Sequence, residues 1–595
     1  MASPATTRTV RPLDGLRAEA AGPPGGRGGP CGPGAGHVAE HLRLLGAATD
    51  DTETSGFVVE GAGFAPLVAR TAWSDAGADL TDEATVQAAT GIMAVHGRRD
   101  GGPRGIAADY AATATGVLTV QGVLAGLLAQ ARGGQVAQVS TSASRAGLLA
   151  VSQYLAAAGA DEGEAAELAP GGPPFTSADG TVFELETLDP GAWAAFWRVL
   201  GAPEKAVRAG WRPFQFRYAT ACAPFPEALH IAVRQIEWER IRHAAGVSGA
   251  QVCPLRSLAD RGIPDAPPWN LVPYEAMYPS GATAGSPQLA GGPLAGLTVL
   301  EAGRRIQAPL AAHLLGLLGA EIVRIEPPGG DPLRGMPPAC SGISARWLAL
   351  NRGKKAVEVD IKSAADRRRL RETAAGADVF LHNWAPGKAA ELGLDHEHLA
   401  AVNPALVYAY TSGWANRLPG APMGTDFMVQ ARTGVGEAVR PAGEPPAPSL
   451  MTLLDVLGGL LGAEAVLAGL LLRERTGNGV RVDSSLLGAA DVLTAPALRR
   501  LAQGGDGRRP AGFRRPLPTA DGWIAPTDTC APAAAAYDLR GLPTVEALAQ
   551  LRTHGLSATP VTADLAGLHH DPRFGGSISR DAHGAPAVPD PWSFL

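Results

Sequence analysis

The chain has 595 residues, 46% of them hydrophobic, enough for packed cores and incompatible with a disordered protein. Its formal net charge of −6 argues against a general nucleic-acid partner. On ordinary domain sizes such a length holds roughly two to four domains.

Residues 1–36 are rich in Gly and Pro, lack the apolar run of a signal peptide, and predict a disordered leader. A cytoplasmic protein with no membrane partner follows as the expectation. Cys31, Cys222, Cys253, Cys340 and Cys530 are scattered, so neither a disulfide framework nor a metal site is expected. The most membrane-like stretch, Leu453 to Leu472, contains Asp455 and Glu464 and reads as a buried helix.

The clearest local pattern lies at 293–335. A buried run from Leu297 to Leu300 turns at Gly303 into an apolar helix from Ala308 to Leu318, and Ile322 to Ile325 returns as a strand. That is a βαβ unit of a parallel sheet, whose first crossover faces a nucleotide-like ligand. Four of the five lysines (Lys354, Lys355, Lys362, Lys388) follow closely, which reads either as composition drift in an arginine-rich chain or as the mark of a polyanionic ligand near 352–388.

The chain also repeats itself. DEATVQAATG (82–91) is echoed by TDFMVQARTG (425–434), and LAGLL recurs at 124–128 and 467–471. The alternating strands 136–140 and 480–484, the turns SADGTV (177–182) and TADGWI (519–524), and the segments 245–252 and 554–561 complete an ordered series. This predicts two unequal copies. A truncated one spans 37–279 and keeps only a faint echo of the nucleotide-type half at 38–47. A linker occupies 280–292, and the second copy, with an intact binding half and a shortened small domain, spans 293–595.

Several further stretches carry a resemblance. They are PLAGLTVLE, LLGAEIVRIEPPGGDPLR (317–334), LNRGKKAVEVDIK (350–362), ADVFLHNWAPGKAAELGL (377–394), NPALVYAYTSGW (403–414) and the Asp455 helix followed by RERTGNGVRVDSSL (473–486). Together they resemble the family III CoA-transferases, the CaiB/BaiF group. The resemblance implies an α/β fold with a parallel, Rossmann-like CoA-binding sheet, a small α+β domain, and interlocked subunits that a fused duplication would turn into an intramolecular pseudo-dimer. It also implies acyl-CoA and carboxylic acids as partners, with coenzyme A as substrate and no metal.

The implied chemistry moves CoA between carboxylic acids through an aspartyl-acyl anhydride. Asp455 matches the family nucleophile, and its other reading is an N-cap of its helix. Asp426 matches a second acidic position, with a turn or cap as its other reading. Related racemases carry His where Thr425 stands, and threonine exchanges no proton near neutral pH. The implied CoA contacts are Ile306, Gln307, Ala308, Arg324, Arg352, Lys354, Lys355, Asn383 and Lys388. A family Gly is absent between Ala308 and Pro309, and a glycine-rich lid has only Gln503–Gly507 as a candidate. His382 reads as a solvated surface side chain. Glu83 stands at the Asp426 position of the first copy, and either Asp109 or Ala112 stands at that of Asp455. The competing readings are a degenerate acyl-CoA-binding or assembly protein and an acyl-CoA racemase or isomerase.

Overall fold

The computed structural model describes residues 10–21, 31–49, 54–75, 80–164, 166–274 and 291–595. The first sheet begins at β1 (Leu16–Ala20), where Leu16 and Ala18 face inward in alternation. Helix α1 (Ala35–Leu44) buries Val38 and Leu42 and leads to β2 (Ala48–Thr49), which pairs parallel with β1. This corrects the expected leader, because inward-facing apolar residues place 16–20 inside a sheet and Ala35 already starts a helix. Residues 1–9 and 22–30 lie outside the described residues, as does 280–290 of the expected linker.

The strands β3 (Gly56–Gly61) and β4 (Phe64–Ala72) form an antiparallel hairpin where a crossover would otherwise stand. The helix α2 (Glu83–Ala89) and the long α3 (Tyr110–Ala131) precede β5 (Gln138–Ser142), which lies parallel to β4. A small antiparallel sheet follows, from β6 (Phe175–Thr176), β7 (Val182–Glu186) and β8 (Gln251–Pro254), interrupted by α4 (Glu204–Thr220). It packs around Phe175, Trp193, Phe196 and Trp197. Strand β9 (Trp269–Pro273) then leaves this half altogether.

The predicted βαβ unit is β10 (Thr298–Ala302), α5 (Gln307–Leu317) and β11 (Glu321–Glu326), with the two strands parallel. The remaining parallel strands are β12 (Lys355–Glu358), β13 (Val379–His382) and β14 (Val407–Ser412). After α6 (Asp426–Arg432) and α7 (Leu453–Thr476) comes β15 (Val480–Ser485), giving the order β12-β11-β10-β13-β14-β15-β9. Helices α3 and α7 are predominantly apolar and almost wholly buried because both are core helices, packed on each other. A second small sheet has β16 (Leu517–Pro518), β17 (Trp523–Pro526) and β18 (Ala558–Pro560), before β19 (Trp592–Phe594).

The halves exchange their last strands. β9 pairs antiparallel with β15 of the second half, and β19 pairs antiparallel with β5 of the first. Buried tryptophans anchor both strands: Trp269 Nε1 donates to Glu464 (3.2 Å) and Trp592 Nε1 to the Leu118 carbonyl (2.7 Å). The small sheets cross over as well, with β7 and β8 against α6 and with β17 and β18 against α2. The fold is α/β, with two unequal halves, a parallel sheet at the core of the second and a small α+β unit in each.

Candidate active site

A cavity of about 1420 Å³ opens at the C-terminal ends of β10 to β14. The crossovers diverge between β10 and β13, and ligands of open parallel sheets bind at such a switch point. Asn383 joins the two loops there, accepting the Arg304 N–H at Oδ1 and donating from Nδ2 to the Arg304 carbonyl, each at 2.9 Å.

No glycine stands between Ala308 and Pro309. The sharp turn falls at Arg305 (φ +63°), Ile306 stands at the helix N-cap, and α5 starts at Gln307. Two glycines of α7 admit this helix start. A Cβ on Gly459 would lie 2.9 Å from the Gln307 carbonyl oxygen, and one on Gly458 would lie 2.9 Å from Gln307 Nε2. Gly459→Ala therefore pushes on backbone. It should lower stability by about 1–3 kcal/mol, readable by thermal unfolding.

Two carboxylates meet beneath this turn. Asp426 is 3% exposed and accepts the Asp455 N–H at 2.7 Å, together with the Gln430 side chain. Gln430 is itself pinned by Ser449, through N–H to Oε1 (2.8 Å) and Nε2 to O (2.9 Å). Asp426 thus serves orphan N–H groups at the start of α7, the capping role that was open to Asp455. The N-cap of α7 is Thr452, without a side-chain bond. The Asp455 carboxylate is only partly exposed, lines the cavity, and accepts no hydrogen bond from the described residues. Burial, opposed by its hydrogen bonds, pushes Asp426 up to about 6. Burial, then the charges of Asp426 and Glu186, raise Asp455 well above the usual carboxylate range, while Arg305 pulls it down.

The first half supplies part of the wall: Glu186, Gln215, Phe216, Tyr218 and Gln251. Glu186 Oε2 accepts the Thr425 hydroxyl at 2.8 Å and pairs with Arg217 at 3.0 Å.

The sequence profile of the family described as CoA-transferase family III matches residues 72–263 and 294–567, more than half of the chain. The chain belongs to CoA-transferase family III. Over 198 residues it is 36% identical to a succinyl-CoA:glutarate CoA-transferase of Mus musculus, covering 33% of this chain and 45% of that one. Over 242 residues it is 34% identical to an acetyl-CoA:oxalate CoA-transferase of Acetobacter aceti, covering 40% and 60%. The chain thus spans about half the length of the curated relatives it matches. A solved CaiB/BaiF family protein from Brucella suis aligns at 26% identity with a TM-score of 0.45, over 51% of this chain and 92% of that one.

For a family III CoA-transferase, the cations are not placed as the motifs suggest. Of the predicted CoA contacts, Ile306, Gln307, Asn383 and Arg324 line the cavity, and Ala308 is fully buried behind it. Arg324 is spent on Glu301, Glu326 and Asp331 in the core. Lys354 has a side chain 2% exposed and donates to Glu301 and the Pro309 carbonyl, both at 2.8 Å. Glu301 sits in the buried strand β10, and a carboxylate there needs counter-cations. Lys355 and Lys388 pair with Glu321 and Glu391 on the surface, and Arg352 reaches the Val588 carbonyl instead. The cations that line the cavity without an ion pair among the described residues are Arg304, Arg305 and Lys362.

His382 is 2% exposed, not solvated. Its Nδ1 accepts the Trp384 N–H (3.3 Å), which leaves Nε2 to donate to the Tyr408 hydroxyl (2.7 Å), and burial lowers its pKa to about 3. It is a neutral support beneath Trp384 and Tyr410, which line the cavity.

The first half contains the same hydrogen-bond pattern. Glu83 accepts from Gln87 and from the N–H groups of Ala111 and Ala112, each at 2.8 Å, and Gln87 Oε1 accepts the Ile106 N–H at 2.8 Å. A constant spacing relates Glu83, Gln87, Ile106 and Ala112 to Asp426, Gln430, Ser449 and Asp455. Ala112 therefore stands where Asp455 stands. Arg514, 1% exposed at the side chain, fills the neighbouring space and pairs with Asp109 and Asp528, each at 2.6 Å.

Proposed function

We propose that this protein moves CoA between carboxylic acids, with Asp455 as the nucleophile and one working site per chain. The observation that carries this reading is the Asp455 carboxylate, which lines the cavity without a donor among the described residues, beside an Asp426 that holds its backbone. Attack on a thioester carbonyl forms a C–O bond, breaks the C–S bond and releases the CoA thiolate, leaving a mixed anhydride that a second carboxylate or the thiolate opens. Arg305 faces the developing negative charge, and Arg304 and Lys362 are the cations available to CoA phosphates, in place of the lysines of the 350–362 motif.

The two halves read best as tandem copies that form a pseudo-dimer within one chain. The first copy has no nucleophile and completes the site of the second through β7, α4 and β8. Its domain begins at β1, before residue 37, and the second begins near residue 293. The racemase reading loses support because Thr425 offers only a hydroxyl, already given to Glu186.

The reaction is tested by incubating the protein with succinyl-CoA or acetyl-CoA and a panel of free carboxylates in deuterated water. New acyl-CoAs with unlabelled α-carbons support the proposal. Deuterium at the α-carbon without transfer overturns it.

The acid limb of kcat/KM should lie high. Asp455 attacks only when ionised, and burial beside two carboxylates raises its proton affinity. Activity should rise with pH through a midpoint above the ordinary carboxylate range. The pair's contribution to stability has the opposite sign. Between the unfolded value and about 6 the native Asp426 holds more protons than the unfolded chain, so stability is lost as pH rises through that window.

A further inference from the structure

Glu186 comes from the half that lacks a nucleophile, yet it touches the start of the helix that carries Asp426. Its Oε1 accepts the Thr187 N–H at 3.1 Å, and its Oε2 takes the Thr425 hydroxyl and the Arg217 guanidinium. Arg217 is 3% exposed and lies 3.8 Å from the ring centre of Phe214 and 4.7 Å from that of Phe427. Phe427 follows Asp426 directly. One carboxylate and one stacked guanidinium of the first half therefore grip both neighbours of Asp426.

We propose that Glu186 is a positioning residue through which the first half sets both the placement and the proton affinity of the Asp426–Asp455 pair. The placement follows from the Thr425 bond, since Thr425 is the N-cap of α6 and makes no capping bond of its own. The electrostatic part follows from like charge: Glu186 faces both aspartates and opposes their ionisation. The other charged and titratable groups facing the pair are Arg305 from the β10–α5 turn, Tyr218 from α4, Tyr110 from α3, and Tyr154. The three tyrosines are held protonated by burial. Arg305 is the only one of these that favours ionisation, and against it stand burial, the neighbouring Asp426 and then Glu186, the one opposing charge supplied by the other half.

The kinetic arm of this proposal rests on the transferase reading of Asp455, and a spectroscopic arm does not. The protonated-carboxyl infrared band of the full chain, assigned with D455N and D426N, gives the titration midpoint of the pair directly. Transfer of CoA from succinyl-CoA to a free carboxylate acceptor gives kcat/KM against pH. Glu186→Gln removes the charge and keeps an oxygen for Thr425, so both midpoints should fall by about one unit. Thr425→Val removes the hydroxyl and keeps the charge, so kcat should fall about tenfold with the midpoint unmoved. Arg217→Gln strips the counter-cation and should move the midpoint upward, which serves if Glu186→Gln does not fold. An unmoved infrared midpoint in folded Glu186→Gln or Arg217→Gln overturns the proposal. If the midpoint moves but wild-type protein transfers no CoA to any acceptor at any pH, the transferase reading fails and the positioning by Glu186 stands.

Discussion

Replacing Asp455 with Asn or Ala should abolish CoA transfer, by about a thousandfold or more in kcat, while leaving the protein at least as stable as before. The two outcomes come from one cause. The carboxylate is held where burial and two neighbouring carboxylates oppose its charge, and no protein donor of the described residues compensates it. Neither Asn nor Ala carries the charge, and the backbone N–H of residue 455 keeps its bond to Asp426. Trapping with hydroxylamine after incubation with an acyl-CoA should place a hydroxamate on Asp455 by mass spectrometry in the wild type and none in the variants. The melting temperature should rise or stay level, the trade-off expected of a strained catalytic group. A variant that lost stability and kept turnover would assign Asp455 to structure.

The second large effect is expected far from that site. Arg514→Ala should cost about 1–3 kcal/mol of stability, because it takes a buried guanidinium away from two half-buried acids and two carbonyls. The guanidinium donates to Asp109 and Asp528 and to the carbonyls of Ile106 (3.1 Å) and Ala108 (2.9 Å). Its field also helps ionise Glu83, which burial pushes up to about 7. Arg514 holds Asp109 below its ordinary range, so that stabilisation exists above the unfolded value and is lost as pH falls through the folded one. The deficit of the variant should therefore be largest near neutral pH and shrink in acid, as read by denaturant unfolding at several pH values. A pH-independent deficit would mean that packing, not charge, is what Arg514 supplies.

Much of the fold is legible in the residues, and the misses have definite causes. The βαβ unit at 298–326 falls within two residues of its expected bounds, because buried runs and a stop at Gly319 leave little choice. Spacing from the LAGLL repeat places Ala112 opposite Asp455, as the hydrogen bonds of Glu83 do. The cations went astray because a motif records that a lysine is present, not what it faces. Glu301 in an otherwise apolar strand was the available signal that Lys354 and Arg324 had an inward partner. Glu186 had no signal of its own, since an acidic residue at the end of a strand is ordinary until the fold sets it against Thr425. The strand β1 was hidden by its Gly- and Pro-rich flanks, and its inward positions are few.

The reciprocal exchange of β9 and β19 also governs how the chain can be made. β9 is synthesised roughly two hundred residues before β15, the strand it must pair with, a wait on the order of 10–40 s at the ribosome. The first sheet, in turn, gains its outer strand only when Trp592–Phe594 appears. Neither half reaches its native form while the other is incomplete. The molecule should behave as one cooperative unit. Cleavage between residues 274 and 291 should leave the pieces bound together, and either piece expressed alone should require the other for solubility.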